Sequence, residues 1–197
     1  HREKQHWSNF WQDRGLSERA IRYLKPQGKK ESFEPLAADI LGAADDGAVR
    51  VIGAVIGLID QSMHQVGLGT PGLHGLVDVW SRTKQLAGLV DALIQRGFGV
   101  FITADHGNTF GRGFGKPDVG ATAQQRGERA HIFRNKDFRD NTAPLYPNAI
   151  EWPQIGLPQD YFPLIAPYGA CFMHEGKEAV SHGGIALEEV MVPFVRI

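Results

Sequence analysis

Apolar positions along the chain gather into a few dense runs separated by long polar or glycine-rich stretches. The first 24 residues are mostly polar, with Trp7, Phe10, Trp11, Leu16, Ile21 and Tyr23 unevenly spaced. That pattern predicts two short helices broken near Gly15. KPQGKKESF (25–33) reads as a basic loop, and Pro35 to Ala44 as a short helix closed by the turn Asp45-Asp46-Gly47. The run from Val51 to Ile59 is β-branched and apolar on both faces. It predicts a strand buried on both sides and ending at Asp60. A glycine-rich loop (66–75) follows. Val77, Trp80, Leu86, Leu89, Val90, Leu93 and Ile94 then roughly keep a 3.6-residue period, predicting one helix over 77–96 with Gly97 as its C′ glycine. Phe98 to Thr103 is the next strand. Residues 51–103 thus read as a β-α-β unit with a right-handed crossover, and its parallel strands deliver Asp60 and Asp105 to the same sheet edge.

Beyond that unit the pattern weakens. Residues 107–128 read as a long glycine-rich loop, Arg129 to Arg134 as a strand, 135–167 as irregular, and Ala170 to Met173 as a short strand. The last stretch, 181–197, reads as a loop, a helical turn at Leu187-Glu188-Glu189 and a final strand from Met191. The expected architecture is α/β, a mainly parallel sheet flanked by helices. Residues 1–48 form an N-terminal helical segment of the same domain, and residues 49–197 form the core. No internal repeat is visible.

Composition adds bounds. A chain of 197 residues with 42% hydrophobic content suits one domain or a large part of one. The net charge of −1 shows no strongly basic balance, so it neither points to nucleic acid nor excludes it. Cys171 is the sole cysteine, which rules out an internal disulfide and suits a reducing, cytoplasmic setting. The longest apolar run is too short to cross a bilayer, so no membrane role is expected, and no signal peptide is visible.

The chemistry concentrates at strand ends. VFITADHGN drives an apolar run into Asp105 and His106; LIDQSMH ends the earlier run in Asp60, with His64 four residues on; His182 sits in SHGG before the last strand. Ligands in open α/β sheets collect at the carboxyl ends of strands. Mixed carboxylate and imidazole donors suit Zn²⁺ or Mn²⁺ better than Ca²⁺. The plainer alternatives are a strand-end turn capped by Asp105, and a helix N-cap at Asp60 with a surface histidine. His74, His131 and His174 read as ordinary, and Glu188 and Glu189 as helix-surface or capping residues.

These elements resemble the metal-binding half of the alkaline phosphatase superfamily. TADHGN is similar to cofactor-independent phosphoglycerate mutases, whereas GKPDVGATAQQRGERAHIF and SHGGIALEEVMVPFVRI resemble the PglZ domain, a phosphatase-like component of BREX phage-defence systems. The resemblance covers about residues 50–197; residues 1–50 carry no motif of it. It implies a phosphoesterase, a phosphatase or phosphodiesterase, with two divalent metal ions, Zn or Mn. Asp60, His64 and His182 hold one, and Asp105 and His106 hold part of the other. Lys116, Arg126 and Arg129 are the candidates for phosphate oxygens. The family's second metal also needs an Asp and a Ser or Thr nucleophile from an early strand. No apolar strand ending in Asp is read before residue 49, and Ser8, Ser17 and Ser32 fall in polar helices or loops. The chain is therefore expected to be a C-terminal fragment lacking its N-terminal strand and its nucleophile, so no catalytic residue is assigned within it. The implied substrate is a phosphate ester such as a nucleotide, nucleic acid or phosphoprotein. The implied partners are other BREX-type defence proteins, and an open sheet edge would favour self-association. Two alternatives stand beside this reading. One is a non-enzymatic defence-complex subunit with a structural metal, docking through 135–167 with Tyr146, Trp152, Tyr161 and Phe162. The other is a phosphoglycerate-mutase-like phosphomutase or a sulfatase-like hydrolase.

Overall fold

The computed structural model describes residues 2–26, 32–58, 69–117 and 123–197. Two compact units emerge: His1–Val66 with Leu73–Phe101 and Arg196–Ile197, and Gly67–Gly72 with Ile102–Val195.

The first unit is built from α1 (Arg2–Gln12), a 3-10 turn (Glu18–Ala20), β1 (Ile21–Leu24), α2 (Phe33–Asp45), β2 (Val51–Ala54), α3 (Gly69–Arg82) from Leu73 onward, and α4 (Gln85–Gln95). β1 and β2 pair in parallel, Ile21 opposite Val51 through Leu24 opposite Ala54. The core gathers Phe33, Leu36 and Ile40 from one face of α2 with Leu89 of α4, and Leu24, Ile52 and Trp80 pack against it. The i, i+3, i+7 spacing of the three α2 residues is what aims them at one partner. α1 buries no residue fully, and Trp7 ties it to β1 by donating its indole N–H to the Arg22 carbonyl at 2.9 Å.

Two expectations need correction here. The segment before residue 24 holds a strand, not a second helix. IRYL gains its ladder from β2, a non-local partner that a four-residue run cannot announce. β1 runs into Lys25-Pro26, so it presents no carboxylate at its end. The helix expected over 77–96 is two helices, α3 and α4, separated at Lys84, whose φ of 57° breaks the helical path. Gly97 does close α4 as expected: its N–H donates to the Ile94 carbonyl and that of Phe98 to the Leu93 carbonyl, a Schellman pair of bonds.

In the second unit β4 (Thr109–Gly113) lies between β10 (Glu178–Ser181), antiparallel to it, and β9 (Ala170–Cys171), parallel to it. A four-stranded antiparallel sheet runs in the order β5 (Ala123–Arg126), β6 (Ala130–Phe133), β8 (Phe162–Ile165), β7 (Ile150–Glu151). β3 (Phe101–Thr103) pairs with β11 (Phe194–Arg196), and α5 (Lys136–Thr142) and α6 (Leu187–Val190) complete the described elements. Phe133, Leu164, Ala166 and Phe172 form the core, with Phe114, Tyr146 and Phe162 packed on it. Tyr146 and Phe162, expected on a docking surface, thus serve the interior.

The sheets are small and mixed rather than mainly parallel. Connections as short as the turn 127–129 between β5 and β6 can join only antiparallel strands, because a parallel crossover needs a dozen residues or so. The segments read as a glycine-rich loop (107–128) and as irregular (135–167) supply β4, β5, β7 and β8, four of the nine strands described for this unit.

Candidate metal centre

The second unit carries Asp105, His106 and His182. Just after β3, whose Thr103 hydroxyl donates to the Pro193 carbonyl at 2.8 Å, the chain turns through Asp105, His106 and Gly107. The Asp105 side chain is 92% exposed, and its Oδ1 lies 3.8 Å from His106 Nε2. His106 Nδ1 is 3.1 Å from the Gly107 carbonyl oxygen, which favours the tautomer protonated at Nδ1 and leaves Nε2 as a lone-pair donor on the Asp105 side. The His106 ring stacks on that of His182, centroids 4.0 Å apart and planes 17° from parallel.

Two close backbone approaches make this meeting feasible. The Gly107 N–H donates to the Glu189 carbonyl at 2.8 Å, and a Cβ on Gly107 would sit 1.9 Å from the Glu188 carbonyl oxygen. Gly127, at a φ of 57°, passes the His182 carbonyl so closely that a Cβ would lie 2.2 Å away. The next residue, Glu128, donates its N–H to the buried Ser181 hydroxyl at 2.7 Å, fixing the end of β10 beside His182.

Beneath this surface lies a buried ion pair. Arg129 and Glu189 side chains are each 1% exposed. Arg129 donates Nε and Nη2 to the two Glu189 carboxylate oxygens at 3.1 and 3.0 Å. Its Nη1 donates to the carbonyls of Pro167 and Ala170. The Glu189 carboxylate also accepts the Gly184 N–H at 2.8 Å and the Ala186 N–H at 2.9 Å. Burial pushes the Glu189 carboxyl up, but the Arg129 guanidinium and the two backbone N–H groups outweigh it and hold the acid below its ordinary value.

The structure therefore brings Asp105, His106 and His182 together. Asp60 and His64 lie outside the described residues, as does the side chain of Arg126. Lys116 is exposed and lines a shallow depression with Glu128, Met173, His174 and Lys177. Arg129, expected to reach phosphate, is instead buried and engaged with Glu189 and two carbonyls. Glu189, expected on a helix surface or as a cap, does cap α6 by accepting the Ala186 N–H, but it is buried with Arg129 rather than on the surface. No sequence signal links two residues so far apart, beyond the proximity of Glu189 to the SHGG motif. Among the described residues, no three His, Cys, Asp or Glu side chains form a group able to hold a metal ion. The donor types nevertheless suit a borderline divalent ion: one exposed carboxylate and two neighbouring imidazoles.

The fold is similar to that of murine ectonucleotide pyrophosphatase/phosphodiesterase 5, solved alone and, as an inactive form, in complex with AMP. Each comparison gives a TM-score of 0.63 at 14% identity, covering 90% of this chain and 60% of that one. This chain thus spans about 60% of the length of those solved structures. A search of curated proteins finds no match. The family model described as the BREX system PglZ alkaline phosphatase-like domain matches residues 1–197, including the first 50 residues in which no motif was read, and the chain belongs to that family.

Proposed function

We propose that this chain forms the metal-binding part of a PglZ-type phosphoesterase acting in BREX phage defence, in the cytoplasm and alongside other BREX proteins. The observation that carries the reading is the stacking of His106 on His182, with the Asp105 carboxylate beside them. Two strand-end segments far apart in sequence are brought to one place, and both bring metal-ligand chemistry.

In this reading Asp60, His64 and His182 hold one divalent ion, Zn or Mn, and Asp105 and His106 hold part of a second. Bound there, such a pair supplies charge neutralisation for the phosphate and a lowered pKa for the attacking hydroxyl or water. The chain's own residues do the rest. Asp105 contributes a full negative charge at the solvent-facing edge, His106 presents Nε2, and Lys116 and Arg126 neutralise outer phosphate oxygens. The substrate is a phosphate ester of the nucleotide or nucleic-acid class.

The first test is metal content per chain by plasma emission, on protein purified without added metal, beside a His182→Ala control. One to two equivalents of zinc or manganese are expected, with clear loss in the variant; hydrolysis of a chromogenic phosphodiester is then measured on the metal-loaded protein. Unchanged stoichiometry in His182→Ala would overturn the assignment. A chelator that melts the domain, with hydrolysis absent throughout, would move the structural-metal alternative ahead.

A further inference from the structure

The Glu189 main chain and side chain point to different parts of the candidate site. The carbonyl accepts the N–H of Gly107, the residue after His106. The carboxylate accepts the N–H of Gly184, two residues after His182, and that of Ala186. One residue therefore grips both histidine-bearing turns. Its carboxylate is in turn held by the Arg129 fork, and Arg129 is itself anchored by the Pro167 and Ala170 carbonyls.

We propose that the Arg129–Glu189 pair is a positioning device that sets the separation of His106 from His182, and so the geometry in which the two turns meet a metal ion. The proposal rests on the metal-centre reading for its consequence, but the positioning itself is a property of the metal-free chain. A buried ion pair adds little net stability over an apolar pair of similar volume; what it adds is direction. Here the direction is unusually well specified. Two parallel N–H donors fix the carboxylate plane. The plane fixes which backbone N–H groups it meets, and those belong to the loop carrying His182. The short helix α6 then converts the position of that side chain into the position of the Glu189 carbonyl, to which the Gly107 N–H donates, while the preceding Glu188 carbonyl leaves no room for a Cβ on Gly107. Arg129 acts through Glu189, and neither residue needs to touch substrate.

The test uses Glu189→Gln, which keeps the shape and removes the charge, and Arg129→Lys, which keeps the charge and removes the fork. The first readout needs no metal: the nuclear Overhauser effect between the His106 and His182 ring protons, with amide exchange at Gly107 and Gly184. The second is zinc affinity by titration. In folded variants the ring–ring effect should weaken or vanish and both amides should exchange faster. Zinc affinity should fall about 10–100-fold, the usual loss when an outer-shell partner of a ligand is removed. If the native chain takes up no zinc, the metal reading fails, while a weakened ring–ring effect in the variants still supports positioning. Folded variants with native ring stacking and native zinc affinity would overturn the proposal. So would failure of both variants to fold, since the pair would then be a core requirement rather than a positioning device.

Discussion

At the scale of single residues, His131 makes the sharpest prediction. It sits on β6, 2% exposed, edge-on to Phe172 with centroids 4.8 Å apart. Among the described residues, neither ring nitrogen has a hydrogen-bond partner. Burial, and then the charge of Lys116, lower its pKa from 6.5 to about 4. The native ring is therefore neutral near pH 5, while the same ring in the unfolded chain is protonated. Between pH 6.5 and 4 the unfolded state binds the extra proton, so stability falls as pH falls through that window and is undisturbed above it. A shift of this size corresponds to about 3 kcal/mol at the acid end. Urea unfolding followed by tryptophan fluorescence should show a lower midpoint at pH 5 than at pH 7. His131→Leu should flatten that difference and be the more stable protein at pH 5, because it also removes two unsatisfied polar atoms, worth about 1–3 kcal/mol. Equal pH slopes in the two proteins would refute the account. From sequence alone His131 reads as ordinary, because a missing partner is a property of the neighbours and not of the residue.

At the scale of elements, what the sequence reveals follows how locally each element is specified. β2, β6, α2 and α4 are announced in part by their own residues: apolar runs, a 3.6 period, and a glycine at the end of α4; β2, however, covers only Val51–Ala54 and is part-buried, short of the strand expected to reach Asp60 buried on both faces. Asp105 and His106 are legible because they terminate a run of that kind. β1 and β4 are short strands of mixed polarity whose ladders come from distant partners, β5 is a polar stretch that pairs with its neighbour β6, and β8 is a short apolar run carrying Pro163; nothing in AQQR favours an extended chain by itself. The break at Lys84 is hidden for a similar reason, since one left-handed residue does not disturb the surrounding apolar period. The Arg129–Glu189 pair is invisible because both are surface-type residues by composition and meet only in the folded chain. The approach of the Asp105–Gly107 turn to α6 is the element-level feature most open to test. Gly107→Ala places a methyl group against the Glu188 carbonyl, so turn and helix must separate. The expected cost is about 1–3 kcal/mol, the usual range for overpacking, and the His106 ring should no longer stack on His182. Thermal unfolding and the nuclear Overhauser effect between the two rings together check it. Unchanged stacking would show that the turn is not set by this approach.

At the scale of the whole molecule, surface and charge act together. Leu187, Val190, Met191 and Phe194 are 69, 56, 68 and 71% exposed within eight consecutive positions, including every described residue of α6 that does not carry a carboxylate. Apolar exposure of that density exceeds the scattered single residues normal for a monomer surface. The net charge of −1 and an isoelectric point near 6.8 leave little repulsion to keep copies apart at neutral pH. The two-stranded ladder of β3 and β11 also leaves each strand one edge without a described strand beside it. The chain is therefore expected to self-associate near pH 7, with a sedimentation coefficient that rises along a concentration series. Replacing Met191 and Phe194 with glutamate removes the two most prominent neighbours of the patch and moves the net charge away from zero. That variant should sediment at one value throughout the series while keeping the native circular dichroism spectrum. Concentration-independent sedimentation of the unmodified chain would mean that the exposed residues around α6 do not drive association. Persistent association in the double variant would transfer the role to the strand edges, where charge on β3, which that variant leaves untouched, becomes the next substitution to make.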